Sequence, residues 1–265
     1  MRVSTDHRAL TQRYEPTVYR ETASIVASRL GDAGVSSVIL CGSTVKDDIV
    51  PGWSDLDVVV ISSENWVTTA ELDAAREAIE AASSHAQIGV GIDLGGRHLL
   101  TTEGRIGGRP RAMTYEVARY GEALVGGNDL LLAPPLADLA AELRVESWSG
   151  ALAELHNIHR YYCTTRDDEA LLRESVKSWL KILKHLVEPN TQPPFTHASY
   201  LGSLREGHLP DQLDEMLTLS VESRARYGDE EWAPEGRRET GKRLMDAFTD
   251  PLVLQQIEEV HASRR

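Results

Sequence analysis

The apolar positions change period partway along the chain. Glu15 to Leu30 carries Val18, Ile25, Val26 and Leu30 near helical spacing, and the glycines at 31 and 34 end the run. Ser36 to Leu40 is a short β-branched stretch that stops at Gly42. Leu56 to Ile61 is nearly all Val and Ile, the composition of a strand covered on both faces. Thr69 to Ala82 is rich in Ala and Glu, with Leu72, Ala75 and Ile79 on one helical face. Gln87 to Leu94 places Ile88, Val90, Ile92 and Leu94 on one side at period two, and Gly95-Gly96 closes it. Gly104 to Arg111 reads as a loop, and Glu122 to Val125 as a last short strand. The first half thus predicts helices and strands in alternation.

From Pro134-Pro135 onward the patterns are helical. Leu136 to Tyr162 is long, with a break expected near Ser147 to Gly150. Asp168 to Val187 is the clearest, with Leu172, Val176, Trp179, Leu180, Leu183 and Val187 forming one apolar stripe. Pro189 to Pro194 reads as a loop, and Gln212 to Tyr227, Arg237 to Phe248 and Leu252 to His261 as three more helices. The shift predicts two domains, residues 1–134 and 135–265. The fold class is α+β followed by all-α: a small mixed sheet with flanking helices, then an all-helical bundle.

Composition narrows the function. The chain has 265 residues, 41% of them hydrophobic, enough for two small cores. Its formal net charge of −13 disfavours nucleic acid as a partner and suits a cationic or small neutral one. No apolar run approaches the ~20 residues that span a bilayer, and Met1 to Tyr14 lacks the apolar core of a secretory signal. The two cysteines, Cys41 and Cys163, lie far apart and make no disulfide framework. These features predict a reduced, cytoplasmic protein without membrane contact.

One segment carries chemistry. Val38-Ile39-Leu40-Cys41-Gly42-Ser43 is followed by eleven residues and then Asp55-Leu56-Asp57-Val58. A strand ends in a Gly-Ser turn, and the next strand opens with two carboxylates around an apolar residue. Alternation points Asp55 and Asp57 the same way and Leu56 into the core. Two carboxylates held ~6–7 Å apart on one face repel each other unless a divalent cation sits between them. Hard oxygen donors favour Mg2+, which also takes substrate phosphate oxygens. Gly42 allows close backbone approach, and Ser43 supplies a hydroxyl and a nearby N–H for a terminal phosphate.

These residues resemble the signature of the DNA polymerase beta-like nucleotidyltransferase superfamily: apolar-Gly-Gly/Ser, a gap of about ten residues, then Asp-apolar-Asp/Glu-apolar. The resemblance implies a third carboxylate from a later strand. Asp93 in Gly91-Ile92-Asp93-Leu94 fits as a metal ligand or proton acceptor, with Glu103 and Glu116 as alternatives. A small catalytic domain followed by a helical one is similar to the aminoglycoside adenylyltransferases. Tyr120 to Gly126 resembles the segment that closes the catalytic domain in that group. The resemblance implies AMP transfer from ATP to a hydroxyl of a small, cationic acceptor, with the antibiotic as the expected class. It also implies binding of nucleotide and acceptor between the two domains, with basic residues and a catalytic base from the helical one.

Arg173, Lys177, Lys181 and Lys184 recur at i, i+4, i+8 and i+11 on one helix. Lys177 and Lys181 are the candidates for the triphosphate, against the alternative of an ordinary solvated face. Asp211 to Glu235 holds eight acidic and two basic residues with Tyr227 and Trp232 among them, a surface suited to an amino sugar or a solvated acidic loop. His156 and His159 lie at i, i+3 and read as structural. Trp53 either lines a pocket or packs the turn, and Trp148 and Trp179 read as core. Two other functions share the motif: a toxin–antitoxin or regulatory enzyme that modifies a protein or tRNA, and a nucleotide-binding module without catalysis. Three intact carboxylates count against the last.

Overall fold

The computed structural model describes residues 2–4, 14–107, 111–135, 140–164, 167–187, 196–229 and 231–263. The chain divides into two compact units, Met1–Ala140 and Ala141–Arg265.

The first unit is built on a five-stranded sheet: β1 (Arg2–Ser4), β2 (Ser37–Cys41), β3 (Leu56–Ile61), β4 (Val90–Gly95) and β5 (Glu122–Val125), in the order β1-β4-β3-β2-β5. β3 and β4 are parallel and every other pair is antiparallel, so the sheet is mixed. Parallel neighbours need a crossover, and α2 (Thr69–His85) supplies it. Thr68 and Glu71 form a reciprocal capping box at its start, which satisfies two otherwise orphaned backbone donors.

Strand alternation gives the sheet two different faces. Val38, Leu40, Leu56, Val58, Val60, Val90, Ile92 and Leu94 point to one face. There they meet Tyr19, Ala23, Val26, Ala27 and Leu30 of α1 (Pro16–Asp32) and the alanines 75, 78 and 82 of α2. That face is apolar throughout. The other carries Ile39, Cys41, Val59 and Ile61 under Leu100 of α3 (Arg97–Glu103), Ile106, Val117 of α4 (Arg111–Tyr120) and Leu130 of the short turn Asp129–Leu132. By the same alternation Asp57 and Asp93 belong to this second face.

Most expected elements of this unit form. β1 lies in the polar N-terminal stretch, too short to show a period. α3 and α4 flank the glycine-rich stretch, where glycines mask short helices. Gly104 ends α3 in the left-handed conformation, φ 64°. Residues 108–110 of the loop expected there, and most of 5–14, lie outside the described residues.

The described elements of the second unit are all helices: α5 (Ala140–Thr164), α6 (Asp168–Leu186), α7 (His197–Glu206), α8 (Asp211–Arg226), α9 (Pro234–Ala247) and α10 (Pro251–Ser263). α6 is central and packs on α7, α8, α9 and α10. Trp179 is fully buried, stacks on Phe248 at 4.5 Å and donates its indole N–H to the Leu244 carbonyl at 3.0 Å. Trp148 stacks on His261 at 4.6 Å. The break expected near Gly150 does not occur, and α5 runs through it. A Cβ at Gly150 would fall 2.3 Å from Cε1 of His185, so this glycine makes room for a ring rather than a bend. α7 was not expected from the sequence. The expected loop at 189–194 lies outside the described residues.

Candidate active site

Gly42 begins the turn Gly42–Thr44 with φ +73°, a left-handed value that favours glycine. A Cβ at this position would sit 3.0 Å from Oδ2 of Asp57. Cys41 and Asp57 are direct partners across β2 and β3, and the Cys41 thiol lies 3.4 Å from the Asp57 carbonyl. The two halves of the sequence motif are therefore in contact, and the turn approaches the Asp57 carboxylate this closely because residue 42 has no side chain.

The intervening loop is folded tightly. The Ser43 carbonyl accepts from the Lys46 N–H at 3.2 Å and the Asp48 N–H at 3.1 Å. The Val50 carbonyl accepts from Trp53 and Ser54, and the Ser54 hydroxyl accepts from the Val50 N–H at 2.9 Å. Tyr19, buried on α1, donates its hydroxyl to the Ser54 carbonyl at 3.1 Å. That bond holds the residue just before Asp55. Trp53 is buried. Asp55 and Asp57 are half-buried, as is Ser43, while Thr44 is buried with its hydroxyl lacking a hydrogen-bond partner.

Asp93 is 5% exposed and pairs in register with Val59, whereas Asp57 pairs with Gly91. It stands on the same face as Asp57 but one two-residue step along, roughly 6–7 Å. Among the described residues no three His, Cys, Asp or Glu side chains form a group that could hold a metal ion. The donor set nearest to a Mg2+ site is the pair Asp55 and Asp57. Two carboxylates with phosphate oxygens completing the shell suit that ion.

The alternatives to Asp93 are engaged elsewhere. Glu103 lies 3.7 Å from Arg105. Glu116, on α4, forms an ion pair with Lys46 of the β2–β3 loop, and both side chains are largely buried, 18% and 8% exposed. Sequence reasoning missed Lys46 and Tyr19. The only signal for Lys46 was its place three residues after Ser43, and Tyr19 carried none beyond its helix.

In the second unit, the α6 cations do not form one free stripe. Arg173 is buried. Lys181 donates to both carboxylate oxygens of Glu154, at 3.1 and 3.2 Å, and Ser178 donates to the same group at 3.2 Å. Lys184 lies over the Tyr200 ring at 6.0 Å, and Lys177 is half-buried. His185 lies against Gly150, and burial pushes its imidazole down to about 4, with Glu154 opposing and Lys181 and Lys184 reinforcing the shift.

The acidic stretch from 211 is a helix, a turn and the start of another helix. Asp214 pairs with Arg205, and Glu215 with Arg243. Trp232 is buried, with Arg226 at 5.2 Å and Arg237 at 5.5 Å over its ring. Arg237 also binds Glu169 and lies 5.9 Å over Tyr227. Burial, then a hydrogen bond to Glu169, pushes the Tyr227 phenol up. The aromatic faces proposed for a cationic ligand are thus occupied by the protein's own guanidinium groups. His156 is exposed, and the side chains of His159 and Cys163 lie outside the described residues. No described helix is long and apolar enough to cross a membrane.

Residues 20–92 match the family model described as a nucleotidyltransferase domain, a span of just over a quarter of the chain. Gly42, Ser43, Asp55 and Asp57 fall inside it, and Asp93 lies one residue beyond its end. No curated protein matches the chain. Over that span the chain is similar to nucleotidyltransferase domains, and the match supports a nucleotidyl-transfer activity.

Proposed function

We propose that the protein is a Mg2+-dependent nucleotidyltransferase that moves AMP from ATP to a hydroxyl of a small molecule, an aminoglycoside-type antibiotic being the leading acceptor. The observation that carries the reading is the contact between Gly42 and the Asp57 carboxylate, within the matched domain. That contact brings the Gly-Ser turn and the strand carboxylate together, as binding of a metal-bound triphosphate requires.

Asp55 and Asp57 are the residues assigned to Mg2+. When bound, the ion neutralises phosphate charge and so favours attack at the α-phosphorus. Gly42 and Ser43 take the phosphates: the turn presents backbone N–H groups, and the Ser43 hydroxyl adds a donor. Thr44 contributes a buried hydroxyl still lacking a partner. The acceptor oxygen forms a bond to the α-phosphorus as the bond to the pyrophosphate oxygen breaks. The acceptor's proton passes to a carboxylate, and Asp93 is assigned that role. It stands on the strand next to Asp57, two residues further along the register. The chain's part is positioning and charge placement. Lys177 and Lys181 are assigned to the triphosphate, and the helical unit to recognition of the acceptor.

The test is incubation with labelled ATP, Mg2+ and a mixed panel of aminoglycosides, lincosamides and nucleosides, read by mass spectrometry. An adduct heavier by one AMP on an aminoglycoside supports the reading. An adduct only on a neutral acceptor corrects the acceptor class. ATP consumption with label on protein or tRNA moves the function to the regulatory class.

A further inference from the structure

We propose that the Lys46–Glu116 ion pair is a positioning clamp: it locks the Gly42–Thr44 turn to α4 and thereby sets the affinity of the site for a nucleoside triphosphate. The inference rests on the nucleotidyl-transfer reading above and adds two residues to it, both outside the motif.

Three observations converge on the pair. Lys46 belongs to the turn itself, because its N–H closes on the Ser43 carbonyl alongside that of Asp48. Its ammonium does not extend into water but is largely buried against Glu116. Glu116 in turn sits beside Val117, which belongs to the same buried cluster as Cys41 and Val59 on the sheet face that bears Asp57 and Asp93. The turn is thus held at two points: through Gly42 against Asp57, and through Lys46 against α4.

The chemistry of the pair suits a clamp. A loop in contact with water gains little from an exposed ion pair, whose energy is largely offset by ordering two side chains. A buried, charge-assisted hydrogen bond is shorter, stronger and more directional. Removing one partner of such a pair leaves an uncompensated buried charge, which the loop relieves by moving. The moving part would be the segment that begins at Ser43. β3 is fixed separately by its pairing on both sides, so Asp57 stays in place when the turn does not. Loss of the clamp should therefore weaken phosphate binding more than it alters the chemical step.

The test compares wild type, Glu116→Gln, Lys46→Arg, the double variant Lys46→Met/Glu116→Met, and Leu244→Ala as a destabilised control in the other unit. The first readout is hydrogen exchange at the Lys46 and Asp48 amides without nucleotide. The second is calorimetric binding of ATP with Mg2+. Glu116→Gln is expected to speed exchange at both amides about tenfold and to weaken ATP binding about tenfold. Lys46→Arg keeps the charge pair and should stay within about threefold of wild type. The double variant removes both charges, so it should fold well yet still bind ATP more weakly. Leu244→Ala should leave both readouts unchanged at a temperature where it is folded. Unaltered exchange in Glu116→Gln overturns the clamp. So does unaltered or tighter ATP binding, which would mean that Glu116 only competes for Lys46. A wild type that binds no ATP overturns the nucleotidyl-transfer reading instead, and the exchange result then decides the clamp by itself.

Discussion

Asp57 stands on a strand and Lys181 on a helix, and the two elements treat a charged side chain differently. The register of β3 between β2 and β4 fixes where Asp57 points, and Gly42 lets the turn lie close against its carboxylate. Nothing in that arrangement depends on a flexible side chain. Lys181 hangs from α6 on four rotatable carbons and has reached Glu154 on α5, 27 residues away in sequence. The neighbouring cations follow suit, with Lys184 over Tyr200 and Arg173 buried. The backbone places the Asp57 carboxylate, whereas the cations of α6 reach their partners through long side chains. A motif on strands is therefore a stronger statement about chemistry than a charge stripe on a helix.

The sharpest way to break this comparison is to remove the strand carboxylates. Asp57→Ala and Asp55→Ala are each expected to reduce transfer by about 10³-fold or more, as befits groups that organise charge in the transition state. Stability should not fall, because each change removes one of two like charges held close together without metal. The measurement is AMP transfer beside a thermal melt. Near-normal turnover in either variant would falsify the assignment of the pair.

In the second unit the largest effect is expected from a histidine, through pH. Burial against Gly150 holds the His185 imidazole at about 4, below its ordinary 6.5. Between these two values the unfolded chain takes up a proton that the folded chain refuses. Stability is therefore complete above about pH 6.5 and declines as pH falls towards 4, by on the order of 3 kcal/mol. Urea denaturation from pH 7.5 to 4 should show that slope, and His185→Gln should flatten it. An equal slope in the variant would mean that other groups govern the acid limit.

Legibility follows the same division. Helical periodicity located α1, α2, α6 and the last three helices, alternation located β4, and β-branched runs located β2 and β3, because those elements bury apolar side chains. They missed β1, with three residues, and α3 and α4, which lie beside glycines and, among the described residues, place Leu100 and Val117 in the buried second-face core. Gly150 suggested a break and instead accommodates a ring from α6, a contact that no local pattern encodes. The motif residues were legible because strand spacing is rigid. Tyr19 and the Lys46–Glu116 pair were not, since each joins residues 35 or more apart. The aromatic and acidic surface around Tyr227 and Trp232 looked open to a cation because its covering arginines come from positions that spacing cannot align.

A smaller effect tests how tightly the strand side is built. Gly42→Ala places a methyl 3.0 Å from the Asp57 carboxylate oxygen at φ +73°. The left-handed conformation alone costs about 1–2 kcal/mol for a residue with a side chain. The variant should be destabilised by about that amount in urea, and should also lose ATP affinity because the methyl pushes the turn and the Asp57 carboxylate apart. A variant with unchanged stability and binding would show that the turn tolerates a side chain and that its close approach to Asp57 serves no ligand.

The smallest effect is expected at Lys181. Its side chain is 55% exposed and already bonded to Glu154, which is only 13% exposed and also accepts from Ser178. Binding a triphosphate would require Lys181 to give up that carboxylate, so it exchanges one anion for another and gains little net free energy. Its contribution to stability is also modest, because an ion pair with one partner in water is screened and worth about 1 kcal/mol or less. Lys181→Ala is thus expected to raise the Michaelis constant for ATP by less than about threefold and to lower the melting temperature only slightly. Glu154→Gln separates the two roles. It frees Lys181 without removing it, so if the lysine serves the triphosphate, ATP binding should tighten. If ATP binding is unchanged in Glu154→Gln and in Lys181→Ala alike, the pair joins α5 to α6 and nothing more, and Lys177 is left as the α6 candidate for the nucleotide.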